Sequence, residues 1–190
     1  MHRQPRNAAR HAGPTRRQWL AATLCAALAA GAPGRVRAAH IVKPWPAGKP
    51  APRLGLADLD GKTWTLAELA GRPVLLNFWA SWCEPCRAEM PSLELLATRH
   101  ERDGLVVLSV NYKETAPAVR RFLAVLPFSL PILLDADGAV TNDWTPKVFP
   151  TSVLIDRAGT PRQQVLGELD WMGPVAAALV KPLLAPAKAG

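Results

Sequence analysis

Val74-Leu75-Leu76-Asn77-Phe78-Trp79-Ala80-Ser81-Trp82-Cys83-Glu84-Pro85-Cys86-Arg87-Ala88-Glu89-Met90-Pro91 passes from a nearly continuous apolar run, through two cysteines two residues apart, into a helical pattern. An apolar run like residues 74 to 79 is what a strand buried on both faces looks like, and Leu105-Val106-Val107-Leu108-Ser109-Val110 is a second one. Between them Met90, Leu93, Leu96 and Ala97 recur at helical spacing opposite Glu94, Arg99 and Arg102. The stretch therefore predicts a β-α-β unit, two central parallel strands joined by an amphipathic crossover helix over residues 84 to 102. Both cysteines fall where strand gives way to helix.

That junction sets their chemistry. A thiol at a helix N-terminus faces free backbone N–H groups and the positive end of the helix dipole, and both favour the thiolate. Cys83 is the expected nucleophile, and Cys86, less exposed within the helix, is the expected resolving thiol that closes an intramolecular disulfide. Pro85 suits the first turn, where a missing donor costs nothing, and the N–H of Cys86 is expected to point toward the sulfur of Cys83. A structural zinc site needs about four ligands, but beyond the leader described below the chain offers two cysteines with His40 and His100, both badly placed. No metal site and no dissociable cofactor are expected. A purely structural disulfide closing so small a loop contributes only about 2 kcal/mol on the chain-entropy formula. One close pair without long-range bridges suits exchange better than stapling.

Downstream, Val119, Phe122, Leu123 and Leu126 predict a helix over residues 116 to 126, followed by a strand at 132 to 134. Val153-Leu154-Ile155 and Gln164-Val165-Leu166 flank Asp156-Arg157-Ala158-Gly159 and predict two antiparallel strands joined by a turn. A closing helix is expected over 174 to 184, with Pro174 at its start. Upstream, Leu54-Gly55-Leu56 and Trp64 on either side of Asp60-Gly61 predict a hairpin, and a short helix is expected at 66 to 70. The order is βαβαββα after an N-terminal hairpin, an α/β domain over residues 53 to 185 with a tail at 186 to 190. There is no internal repeat and no Gly-rich phosphate loop.

The whole chain of 190 residues has 23 Lys and Arg against 15 Asp and Glu, but residues 1 to 38 hold seven Arg and no acid. The remainder is nearly neutral, which removes the case for a nucleic-acid partner. Arg16-Arg17, the apolar run from Trp19 to Ala30 and Val36-Arg37-Ala38 have the parts of an export signal cleaved after Ala38. An apolar run of about 12 residues falls short of the roughly 20 that cross a bilayer, so no stable membrane insertion is expected after cleavage. Thr15-Arg16-Arg17-Gln18-Trp19-Leu20 is similar to a twin-arginine signal, with Trp19 where Phe is usual and no Lys following. Leu24 is too large to precede a lipid-bearing Cys25. Residues 39 to 52, with Pro44, Pro46, Pro50 and Pro52, read as an extended Pro-rich tether.

Phe78 to Pro91, taken with Phe149-Pro150-Thr151-Ser152-Val153-Leu154-Ile155-Asp156, resembles the TlpA/ResA/CcmG type of exported thioredoxin-like thiol-disulfide oxidoreductase, over residues 50 to 185. The resemblance implies a thioredoxin-like fold, a mixed central sheet flanked by helices. It implies that Pro150 is cis and sits across from the cysteines, leaving the backbone of Phe149 to pair with an extended substrate segment. Trp82, Phe149 and Pro150 are the implied substrate contacts, and Pro91 the implied site of a helix bend. Glu89 lies one turn beyond Cys86, where related reductases place a carboxylate that influences thiol acidity and proton transfer. Thioredoxin's buried Asp on the preceding strand is here Asn77, which cannot titrate. A solvated surface role for Glu89 stays open.

The implied activity is reduction of disulfides in exported protein substrates in the periplasm, with electrons from a membrane thiol-disulfide donor. Apocytochrome c thiols awaiting haem are the family's best-known substrate class. Two other functions on this fold make different demands. A copper-delivery protein needs a His or Met near the cysteines as a further soft ligand. A thiol peroxidase of the redoxin type needs a Thr shortly before its reactive cysteine, where this chain has Ala80 and Ser81.

Overall fold

The computed structural model describes residues 40 to 185. The expected export signal at 1 to 38, Cys25 within it and the tail at 186 to 190 lie outside the described residues. In chain order the elements are β1 (Ile41–Pro44), β2 (Gly55–Ala57), β3 (Thr63–Thr65), β4 (Val74–Trp79), α1 (Glu84–Arg99), β5 (Val106–Tyr112), α2 (Ala116–Val125), β6 (Ile132–Asp135), α3 (Ala139–Trp144), β7 (Thr151–Ile155), β8 (Pro161–Leu166) and α4 (Pro174–Leu184).

All six residues of β4 are buried, and the strand sits inside a sheet ordered β1-β8-β7-β4-β5-β6. It runs parallel to β5, with Val74 opposite Val106 and Trp79 opposite Asn111, and antiparallel to β7. Successive side chains on a strand point to opposite faces, so the apolar run feeds two cores. Leu76 and Phe78 join Leu108, Val110, Val153, Ile155 and Trp144 on one side of the sheet. Leu75 joins Leu93 and Leu96 of α1, with Val107, Leu154 and Val180, on the other. A slip of one residue would exchange the two sets, so packing on both faces pins the register. The fold is thioredoxin-like, a mixed α/β sheet flanked by helices, with the expected hairpin present as β2 and β3.

Four local expectations are corrected. The stretch expected as a tether is not free over its described residues, 40 to 52: Ile41 to Pro44 pair antiparallel with β8, Ile41 opposite Leu166 and Pro44 opposite Gln163. Trp45 is buried, with its ring 5.7 Å from that of Trp144. An edge strand tolerates proline because one of its sides needs no donor, and the anchors for Trp45 lie far along the chain. Residues 66 to 70 form turns closed by Leu69 N–H to Leu66 O and Ala70 N–H to Ala67 O. One turn cannot repay the cost of helix nucleation before Gly71 and Pro73 end it. The crossover helix stops at Arg99, where the N–H of His100 bonds to Leu96 O.

The fourth correction is α3, too short to show a periodicity. Its first turn is capped from β6, where the buried Asp135 carboxylate accepts the N–H groups of Val140 and Thr141 at 3.3 and 2.7 Å. Gly138 enters this helix at φ 77°, and a Cβ placed there would lie 2.5 Å from Lys113 Cε and 2.6 Å from Tyr112 Cε2. Gly138→Ala therefore combines a left-handed penalty with a clash. We expect a loss of roughly 1–3 kcal/mol, read as a lower urea midpoint.

Candidate active site

β4 ends at Trp79, and a tight turn closed by Cys83 N–H to Ala80 O at 3.1 Å delivers the chain to α1. Cys83 is the N-cap, in extended conformation at φ −87° and ψ 103°, and its sulfur accepts the N–H of Cys86 at 3.3 Å. Pro85 occupies the first turn, where no donor is needed. The two cysteines are joined as a disulfide, with Cα atoms 5.3 Å apart. α1 continues as one helix through Pro91, which leaves the carbonyl of Arg87 without its usual donor.

Exposure departs from expectation. Cys83 retains 5% of its surface and Cys86 1%, so the order between them is as expected but even the nucleophile is nearly covered. Both belong to an apolar cluster with Trp79, Ala80, Met90, Val119 and Ile132, against which Phe149 also packs. Side chains from α2 and β6 contribute to this cover, and cysteine spacing carries no information about them.

The peptide bond between Phe149 and Pro150 is cis. The Phe149 ring stands edge-on to Trp82, with centroids 5.8 Å apart, and lies 5.1 Å from the ring of Tyr112. Trp82 is 65% exposed and Val148 is exposed too, so an apolar patch borders the disulfide. Trp82, Phe149 and the cysteines are thus brought to one place.

Glu89 is buried at 2% exposure, which overturns the solvated surface alternative. One carboxylate oxygen accepts Asn77 Nδ2 at 2.7 Å; the other accepts the N–H of Leu169 at 3.1 Å and Trp171 Nε1 at 3.3 Å. Asn77 also donates to Ser152 Oγ at 3.0 Å. Burial pushes the Glu89 carboxyl up to about 8, against the three donors that pull it down, with the negative charge of Glu168 adding a smaller upward push. Desolvation outweighs hydrogen bonding here because a charge in a low-dielectric interior loses more than three neutral donors return.

Sequence reasoning passed over several residues of this region. Tyr112, Leu169 and Trp171 reach it only through the fold. Glu114 also belongs here, binding the turn before Cys83 through Ser81. Its one legible signal was its place just past the C-terminal end of a central parallel strand, where open α/β sheets gather their sites. Among the described residues no cluster of three or more His, Cys, Asp or Glu could hold a metal ion.

A sulfur favoured as thiolate by a helix terminus, with a second sulfur one turn on to relieve it, can make and break disulfides. With the sheet that carries it, this makes the chain a thioredoxin-like thiol-disulfide oxidoreductase. Residues 46–171 match the Redoxin family, and the chain belongs to it. The thiol-disulfide oxidoreductase ResA of Bacillus cereus is 34% identical over 121 residues, 64% of this chain and 70% of ResA. The thioredoxin-like protein YneN of Bacillus subtilis is 37% identical over 115 residues, 59% of this chain and 66% of YneN. A crystal structure from Chlorobium tepidum, assigned as the thiol:disulfide interchange protein DsbE, superposes with a TM-score of 0.67 at 30% identity, covering 73% of this chain and 97% of its own. These relatives bear out the TlpA/ResA/CcmG-type resemblance.

Proposed function

We propose that the protein is a periplasmic reductase of disulfides in exported proteins. The observation that carries this is the Cys83 sulfur at the cap of α1, accepting the Cys86 N–H. In the dithiol form, the Cys83 thiolate attacks a substrate disulfide, forming a mixed disulfide and releasing one substrate sulfur as thiolate. Cys86, once deprotonated, attacks Cys83 and releases the second. The substrate gains two electrons and takes up two protons, and the protein is left with the Cys83–Cys86 disulfide seen here. A membrane thiol-disulfide donor would return the two electrons.

Support for the compartment comes from the signal pattern in residues 1 to 38; among the described residues no helix is long and apolar enough to cross a membrane. Disulfides of apocytochrome c, whose thiols must be free to take haem, are the substrate class we favour, and loss of haem-bearing cytochrome c on gene deletion, restored by the intact chain, is the expected phenotype. Direction is tested by equilibration with glutathione. A potential toward the thioredoxin end, about −270 mV, supports a reductase, and one near the DsbA end, about −120 mV, overturns it.

Trp82, Phe149 and Pro150 are the proposed substrate contacts. Because Trp82 is 65% exposed, Trp82→Ala should leave thermal stability nearly unchanged. Its expected effect is a KM for protein disulfides raised roughly tenfold or more, as for an interfacial Trp anchor. A parental KM would remove Trp82 from the substrate surface.

A further inference from the structure

Residues 80 to 82 lie between β4 and α1, outside both ladder and helix, yet they decide where Cys83 sits. What holds them comes from another element. The backbone N–H of Ser81 donates to Glu114 Oε2 at 2.7 Å, and the Ser81 hydroxyl donates to Glu114 Oε1 at 2.5 Å. Asn111, fully buried on β5 and paired in register with Trp79, donates from Nδ2 to the same Oε2 at 2.8 Å. Both carboxylate oxygens are thus committed to one task, through charge-assisted bonds stronger than neutral ones.

Glu114 reaches Ser81 because the chain turns back at Lys113, which has φ 57°. A left-handed conformation costs a residue with a side chain about 1–2 kcal/mol, and such conformations persist where their surroundings over-determine them, often at functional sites. Here the Lys113 N–H is held by Asp135 O at 3.0 Å. The neighbouring Tyr112 packs on Phe149, so the end of β5 touches both sides of the disulfide region.

We propose that Glu114 is a positioning residue for the thiol chemistry, clamping Ser81 so that Cys83 keeps the N-cap geometry that exposes its sulfur to the helix amides. This rests on the exchange mechanism proposed above and adds to it a residue from outside the motif. The role is geometric rather than electrostatic. A glutamine at 114 can keep all three bonds without the charge, its carbonyl accepting from Ser81 N–H and Asn111 while its amide donates to the Ser81 hydroxyl.

The test compares the parent with Glu114→Ala, Glu114→Gln, Ser81→Ala and the Ser81→Ala/Glu114→Ala pair. For each, kcat/KM for insulin disulfide reduction is measured beside the alkylation rate of reduced Cys83 by iodoacetamide and the urea midpoint. Glu114→Ala should slow both reactions roughly 10- to 100-fold, the scale of a small misplacement of reacting atoms. Glu114→Gln should recover most of that loss, Ser81→Ala should fall between, and the double variant should be no worse than Glu114→Ala. A folded Glu114→Ala with parental rates overturns the proposal, as does a Glu114→Gln as slow as Glu114→Ala. If Glu114→Ala does not fold, Ser81→Ala decides, with slower alkylation supporting the clamp and an unchanged rate overturning it. If the parent fails to reduce insulin but Glu114→Ala still slows alkylation, the proposed function has failed and the clamp stands.

Discussion

Cys83→Ser should abolish disulfide reduction, whereas Cys86→Ser should attack a substrate once and remain joined to it. The asymmetry follows from the cap of α1. The Cys83 sulfur receives the Cys86 N–H at 3.3 Å and keeps 5% exposure, against 1% for Cys86. An incoming disulfide therefore meets Cys83 first. A serine hydroxyl at 83 does not ionise at neutral pH and cannot replace the thiolate, so insulin reduction should drop to background. In Cys86→Ser the first exchange still runs, but no second sulfur is present to release the product. Non-reducing gels should show covalent adducts that dithiothreitol removes. If both variants reduce insulin as fast as the parent, the exchange mechanism is wrong. The same trapping variant, expressed in cells, would identify the substrate.

Glu89→Gln should remove a pH-dependent feature from both stability and turnover. The Glu89 carboxyl, ordinarily near 4.5, is pushed up to about 8 chiefly by burial. Between those values the folded protein holds a proton that the unfolded chain has released. The associated stability is therefore fully present below 4.5 and is lost as pH rises through about 8, where folding must bury a charge. The loss should be on the order of a few kcal/mol. Urea midpoints of the parent should fall across this window, and those of Glu89→Gln should change much less.

We propose that in turnover an ionised Glu89 takes the proton from Cys86 as that thiol attacks the mixed disulfide, and that a protonated one returns it. The resolving step of the parent should therefore quicken as pH approaches 8. Without the carboxyl it should slow by roughly a hundredfold, the lower end of general acid–base effects, and mixed disulfide should accumulate. A Glu89→Gln profile with the parent's inflection and rate would show that Glu89 takes no part in proton transfer.

How much could be read beforehand differs from residue to residue. The position of Cys83 was legible because strand, cap and helix each leave a mark within a few residues: an apolar run, a proline in the first turn, and Met90, Leu93 and Leu96 at one-turn spacing, all three buried as the pattern implies. Pro174 likewise marked the start of the last helix. Glu89 was ambiguous, since an acid on an amphipathic helix reads the same whether solvent or protein covers it. Its cover comes from Leu169 and Trp171, some 80 residues later in the chain.

The sequence alone determined the β-α-β frame and the sulfur at its junction, because helical period, strand alternation and capping act between near neighbours. Only the tertiary structure decided that Glu89 is buried, that Glu114 reaches back to Ser81, that Ile41 to Pro44 complete the sheet and that the cysteines are almost covered. Those outcomes depend on which distant segments come to lie against a residue, and desolvation and hydrogen-bond partnership are properties of that contact.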